Sequence, residues 1–245
     1  MIRSAKIRPL ISVVIPTYNE QYSIRKCLNH LLSQDFSKPY EVIVVDGPSQ
    51  DKTYDIAKKM GARVFKINER GISLAWQKGS EKSRSEIIAF TEADTLVPKN
   101  WISEIYQNFQ INRSAVGLVG QYRFKNNTKL NYLIAIIMFL VDKIHEIWKG
   151  HYAFRGTNFA VRKEYLKICG GFNVNIKTHG DVELSSRIKN FGEIIYLPNL
   201  IVSTTNRHVK SPGNFINFLI RAGRAIYYIN VIGKPEKINK MYDIR

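Results

Sequence analysis

Cysteine is scarce in this chain, with Cys27 and Cys169 the two among 245 residues. They lie far apart, in no metal-type spacing, and read as reduced structural thiols of a cytosolic protein. Acid is also short: 20 Asp and Glu stand against 37 Lys and Arg, a formal net charge of +17. No apolar run reaches the roughly 18 residues of a membrane span. The basic stretch at residues 1–8 has no apolar core or small-residue cleavage site after it, so no secretory signal is expected. Zinc-finger spacing, an aromatic RNA-binding signature and long Lys/Arg blocks are all missing, which argues against a nucleic-acid partner. A glycine-rich phosphate loop with a following lysine is missing near the first apolar run, which leaves a nucleotidyltransferase without support. The charge then points to phosphate-rich ligands or an anionic membrane surface. Internal repeats, low-complexity tracts and Pro/Gly-rich linkers are absent as well, so one domain with an extended C-terminal part is the simplest division.

What is present alternates. Residues 10–16 form a near-continuous apolar run too short for a helix, a polar break follows, and Ile24, Leu28, Leu31 and Leu32 carry helical spacing. The unit recurs with a strand at 40–45, a Gly-Pro-Ser loop at 46–51 and a helix at 52–60 that Gly61 closes. A short strand at 63–67 and a helix at 72–83 lead to an apolar strand opening at Ile87, and Pro98 suits the first turn of the next helix. Such alternation predicts an α/β fold with a mostly parallel sheet flanked by helices, in which ligands bind beyond the carboxyl ends of the strands. Residues 17–20, 46–51 and 92–94 therefore share one rim.

The acidic triplet on that rim, Glu92-Ala93-Asp94, ends an apolar run. If the chain stays extended, i and i+2 side chains share a face, and the two carboxylates converge where a hard cation suits them. The alternative is an ordinary strand-to-loop turn. Beyond a further strand at 116–124, residues 132–141 are an unbroken apolar run within a helical pattern that ends near Lys149, a buried helix or an interfacial segment. Residues 154–162 read as loop into short strand, and Asp181 opens a helix, where it is either an N-cap or a functional acid. Residues 212–232 read as an apolar helix edged by Arg221 and Arg224, suited either to a membrane interface or to docking on the core.

The order of four motifs resembles the family-2 inverting glycosyltransferases of the GT-A, Rossmann-like nucleotide-sugar-binding fold. They are Ser12-Val13-Val14-Ile15-Pro16-Thr17-Tyr18-Asn19-Glu20, the loop Val45-Asp46-Gly47-Pro48-Ser49-Gln50-Asp51-Lys52-Thr53, Glu92-Ala93-Asp94, and Gly170-Gly171-Phe172 followed by Asp181 and Arg187. The resemblance implies a glycosyltransferase domain over residues 1–210, with a donor-binding half at about 10–125 and an acceptor and base half at about 126–210, and a C-terminal helical tail at 211–245. It implies that Pro16, Thr17, Tyr18, Glu20, Asp46, Glu92 and Arg70 contact a UDP- or GDP-sugar, and that Asp94 holds Mg²⁺ or Mn²⁺. Asp181 would be the general base of a single displacement. Arg155, Thr157 and Asn158 would line the site of a glycan or lipid-linked acceptor, with the enzyme peripheral at the cytoplasmic membrane face.

The chain departs from the family pattern in several places. Gly47, Glu92 and Gly180 replace residues that are acidic in the pattern (Asp, Asp and Glu), and Ala75-Trp76-Gln77 stands where Ala-Arg-Asn is usual; Arg70 or Arg207 could compensate. These departures keep a catalytically silent nucleotide-sugar or glycan-binding module as the alternative. His179 and His208 read as solvated rather than as ligands.

Overall fold

The computed structural model describes residues 8–126, 128–176 and 178–205, together with residues 220, 223 and 228. Strands β1 (Ile11–Thr17), β2 (Tyr40–Asp46), β3 (Arg63–Lys66), β4 (Ile87–Phe90), β5 (Ala115–Phe124), β6 (Phe159–Arg162) and β7 (Glu193–Thr204) form one sheet in the order β3-β2-β1-β4-β6-β5-β7. The run β3-β2-β1-β4 is parallel, as is β5 with β7, while β6 lies antiparallel between β4 and β5. The expected mostly parallel α/β sheet is therefore present.

Helices α1 (Ile24–Leu32), α2 (Thr53–Lys59), α3 (Ile72–Lys82), α4 (Trp101–Ile111), α5 (Lys129–Lys149), α6 (Lys163–Ile168) and α7 (Gly180–Ile188), with a 3-10 turn at Lys189–Phe191, complete the described elements. Alternation along β1 sends Ile11, Val13 and Ile15 to one face, against Leu28 of α1 and Trp101, Ile105 and Phe109 of α4. Val14 points the other way, into a cluster with Trp76, Phe90, Phe159, Phe172 and Leu184. Each such fully buried side chain contributes roughly 1.5–3 kcal/mol relative to exposure, so the two faces anchor the parallel strands whose ends carry the polar loops.

Sequence and structure part at several places. Pro98 precedes α4 instead of lying in it; its carbonyl accepts from Trp101 N at 3.1 Å. Helix α6 and strand β7 have no counterpart in the periodicity. In β7, Pro198 interrupts the apolar pattern; it is tolerated because β7 is an edge strand whose register with β5 shifts between Gly120 and Gln121. The helix expected at 212–232, together with Arg207 and His208, lies outside the described residues apart from 220, 223 and 228. No described helix is long and apolar enough to cross a membrane.

One polar side chain ties the inserted strand to its neighbours. Asn158, just before β6, donates through Nδ2 to the carbonyls of Gln121 (2.9 Å) and Leu200 (2.8 Å), and its Oδ1 accepts from Trp101 Nε1 at 2.8 Å. Asn158→Ala leaves three buried groups unpaired and is expected to lower unfolding free energy by about 3 kcal/mol or more, read as a denaturant midpoint shift.

Helix α5 opens on a Thr128 cap, whose hydroxyl accepts from Asn131 N, and closes on Gly150 at φ 71°. Ile134, Met138 and His145 form its inner face. The buried His145 and His151 rings lie 5.0 Å apart, and their Nδ1 atoms sit 3.1 and 3.2 Å from the carbonyls of His151 and Lys149. A carbonyl can only accept, so each Nδ1 carries the proton. Burial above all holds His151 down to about 4, and His145, Lys189 and Lys149 push the same way. The unfolded value near 6.5 lies above the folded one, so stability due to His151 is intact above that value and is lost as pH falls toward about 4. Melting temperatures across that window should fall less steeply for His151→Gln than for the wild type; parallel profiles refute the assignment.

Candidate active site

The strands β2, β1 and β4 are parallel neighbours, so their carboxyl ends open on one edge. Thr17 and Asp46 are register partners at the ends of β1 and β2. The Thr17 hydroxyl donates to Asp46 Oδ1 at 2.7 Å, and Ser49 Oγ donates to the same oxygen at 2.7 Å. Burial raises the Asp46 carboxyl, and these two hydrogen bonds oppose that rise. Asn19 takes a left-handed φ of 54°, its N–H donates to Ser49 Oγ at 2.9 Å, and its Oδ1 accepts from Gln50 N at 2.9 Å. Glu20 N donates to Thr53 Oγ1 at 2.7 Å, so the loops after β1 and β2 are laced into one wall. Half-buried Pro16 precedes this wall, and the Arg70 guanidinium lies 4.0 Å from the centre of the Tyr18 ring on its outer side.

Strand β4 ends at Phe90, so extended alternation does not carry through Glu92 and Asp94. The two acids have different surroundings. Asp94 is buried; its carboxylate accepts from the Thr205 hydroxyl, and its backbone carbonyl accepts from Lys125 Nζ at 2.9 Å. Beneath it, Cys27 reaches toward the Glu92 carbonyl at 3.5 Å. Burial pushes the Cys27 thiol up to about 12, with the negative charges of Asp94 and Glu20 adding to the rise. That thiol is inert, which fits the structural role expected of it.

The Glu92 carboxylate lies against Gly156. A Cβ placed on Gly156 would come within 2.8 Å of both Glu92 Oε1 and the Trp76 ring. The Gly156 N–H donates to Asp181 Oδ2 at 2.7 Å. Only a residue without a side chain leaves room for the Glu92 carboxylate and the Trp76 ring, and Gly156 is a candidate site residue that motif reading missed. The signal available was a glycine two positions before Asn158, on a segment expected to line the rim.

Asp181 is not the cap of α7. His179, at φ 62°, holds that position, and the Asp181 carboxylate turns across to Gly156. Burial lowers the His179 ring, Asp181 opposes that and Arg155 reinforces it. Gly180 has a steric reason: its Cβ would meet Ser73 Oγ of α3 at 2.1 Å. Further along α7, Arg187 pairs with Glu183 at 2.6 and 2.7 Å and donates to the carbonyls of Cys169 and Gly171. The Gly170-Gly171-Phe172 turn and the helix bearing Asp181 are thereby one clamped unit. The Trp76 and Gln77 departures are structural as well: Trp76 packs among Phe90, Phe159 and Phe172, and Gln77 Oε1 accepts from Phe172 N at 2.9 Å.

The three expected acceptor residues have separate surroundings. Arg155 forms a two-point ion pair with Asp142 of α5 and lies 5.4 Å from the Tyr122 ring centre. The Thr157 carbonyl accepts from the Thr91 hydroxyl at 2.9 Å, pinning the segment to the end of β4. Asn158 is the buried tie described above, its amide nitrogen directed to the sheet carbonyls of Gln121 and Leu200 and its oxygen to Trp101 of α4. Among the described residues, no group of three or more His, Cys, Asp or Glu is arranged to hold a metal ion.

Known proteins match this chain along most of its length. Glycosyltransferase AglE of Haloferax volcanii is 30% identical over 75% of this chain and 62% of its own length. A dolichyl N-acetyl-α-D-glucosaminyl phosphate glucuronosyltransferase of Methanococcus voltae is 29% identical over 53% of this chain and 44% of its own. The chain thus spans about half the length of the curated relatives it matches. Among solved structures, the mannosyltransferase PcManGT of Pyrobaculum calidifontis, in complex with GDP-Man and Mn²⁺, matches 90% of this chain and 62% of its own at a TM-score of 0.66 and 22% identity. TarS of S. aureus in complex with UDP-GlcNAc matches 91% of this chain and 68% of its own at 0.65 and 20% identity. These two likenesses establish the GT-A fold. The glycosyl transferase family 2 profile matches residues 12–170, more than half of the sequence, and the chain belongs to that family.

Proposed function

We propose that the protein transfers a sugar from a nucleoside-diphosphate donor to an acceptor hydroxyl or phosphate in a single inverting displacement, with Asp181 as general base. The observation that supports this reading is the hydrogen bond from Gly156 N to Asp181 Oδ2, which holds that carboxylate at the same residue against which Glu92 lies. With Oδ2 held by the amide, the carboxylate is oriented to take the acceptor proton as the hydroxyl attacks. The laced wall of Thr17, Tyr18, Glu20 and Asp46, with Arg70 stacked outside, receives the nucleoside, and the UDP- and GDP-sugar complexes of the solved neighbours support that class of donor.

Asp94 and Glu92 are hard oxygen donors and too few to enclose an ion alone, which fits Mg²⁺ or Mn²⁺ shared with substrate phosphate oxygens. Bound there, the cation would neutralise charge developing on the departing diphosphate. The chain's own part is to keep Asp94 fixed through Thr205, to keep Glu92 against Gly156, and to orient Asp181. A lipid-linked acceptor is supported by the dolichyl-phosphate substrate named for the Methanococcus relative and by the chain's charge of +17. The protein then works at the cytoplasmic membrane face.

Asp181→Asn is expected to lower turnover by about 10²-fold or more while a UDP- or GDP-sugar still raises the melting temperature as in wild type; full activity in this variant would return Asp181 to a structural role. Asp94→Asn should abolish the part of the donor's thermal shift that depends on added Mn²⁺, and an undiminished Mn²⁺-dependent shift removes Asp94 from the cation site.

A further inference from the structure

Eight of the sixteen exposed large apolar side chains among the described residues project from one helix, α5. Leu133, Ile136, Leu140, Ile144 and Ile147 recur at helical spacing and make one continuous outward stripe. Ile144 and Ile147 are 65% and 83% exposed. Tyr132 and Phe139 widen the stripe on one flank, and Trp148 stands at its carboxyl end. With 21 residues the helix is about 30 Å long. Its inner face is buried through Ile134, Met138 and His145, so among the described residues the outer stripe is apolar surface outside the core.

The charge around the stripe defines what fits it. Lys129 lies along it, and Lys149 Nζ sits 4.2 Å from the Trp148 ring centre. The two acids of the helix, Asp142 and Glu146, are paired with Arg155 and Lys143. An apolar stripe bordered by lysines and an exposed tryptophan, on a chain of net charge +17, complements an anionic bilayer: side chains enter the acyl boundary while ammonium groups meet phosphates. A second copy of this chain would bring lysines against lysines.

We propose that the outer face of α5 docks on an anionic lipid bilayer, with the helix axis along the membrane surface. The catalytic consequence rests on the transferase reading above. Asp142 of α5 holds Arg155, the residue before Gly156, and Gly156 holds Asp181, so the helix that meets the membrane is tied to the acceptor side of the rim. The acceptor is then a lipid whose phosphate and sugar stand at the headgroup level.

Flotation of the full chain tests the docking without any sugar donor. Vesicles of phosphatidylcholine with phosphatidylglycerol should carry the protein at low salt, and pure phosphatidylcholine vesicles should carry far less of it. Of the three tryptophans, Trp76 and Trp101 are fully buried, so quenching by acyl-brominated lipid reports Trp148. Ile136→Glu combined with Ile144→Glu changes only exposed side chains and should lower partitioning about tenfold or more with an unchanged melting curve. The proposal is overturned if the wild type stays unbound at low salt, if Trp148 is not quenched, or if the double variant floats as well as the wild type, which would assign binding to the tail. It is equally overturned if the wild type is a dimer that the double variant dissociates and that ignores vesicles. Flotation without sugar transfer would count against the transferase reading alone.

Discussion

Phe90 of β4 lies opposite Phe159 of β6, their rings stacked with centroids 4.5 Å apart, and the candidate site depends on that antiparallel pairing. Because β6 runs against β4, the segment entering β6 must arrive at the carboxyl edge of β4. Gly156, Thr157 and Asn158 thus reach the rim where the parallel strands deliver Thr17, Asp46 and the Glu92–Asp94 turn. An uninterrupted parallel sheet would have brought the entering segment to the opposite edge. The aromatic cluster around Phe90, Phe159, Phe172 and Trp76 adds packing beyond area burial alone, and it is the base on which the polar groups stand.

The acids of this basic protein divide by environment. Asp46, Asp94 and Glu183 are buried and partnered, by hydroxyls, by Thr205 and by Arg187 respectively. A buried carboxylate is costly without such partners, so each one fixes a local geometry: the wall formed by the loops after β1 and β2, the end of the β4 turn, the clamp on α7. Surface cation excess and interior carboxylates together suit a site that takes a polyanion at its mouth and keeps its own negative groups in defined positions.

Much of this was legible in the sequence because the parallel strands are short apolar runs bounded by polar loops, and the rule that such loops share an edge needs no side-chain detail. The edge strand β7 was not, because Pro198 and a register shift break its alternation. Extended alternation does not relate Glu92 to Asp94, because β4 ends at Phe90 and the triplet lies in the turn beyond it. Capping chemistry left Asp181 ambiguous, since an acid near a helix start looks alike in either role; the distinction is a tertiary contact with Gly156, 25 positions away. Asn158 stands beside the site in sequence yet is held by the sheet and by Trp101 of α4, and only its three partners reveal that.

Cys27 gives the molecule a built-in clock. Its sulfur is fully enclosed beneath the Glu92–Asp94 turn and stays protonated until about pH 12. Alkylating reagents need both access and thiolate, so modification of this thiol proceeds only in the moments when α1 parts from the end of β4. The rate of that modification measures how often the floor beneath the carboxylates opens, and a ligand that draws the rim together would slow it.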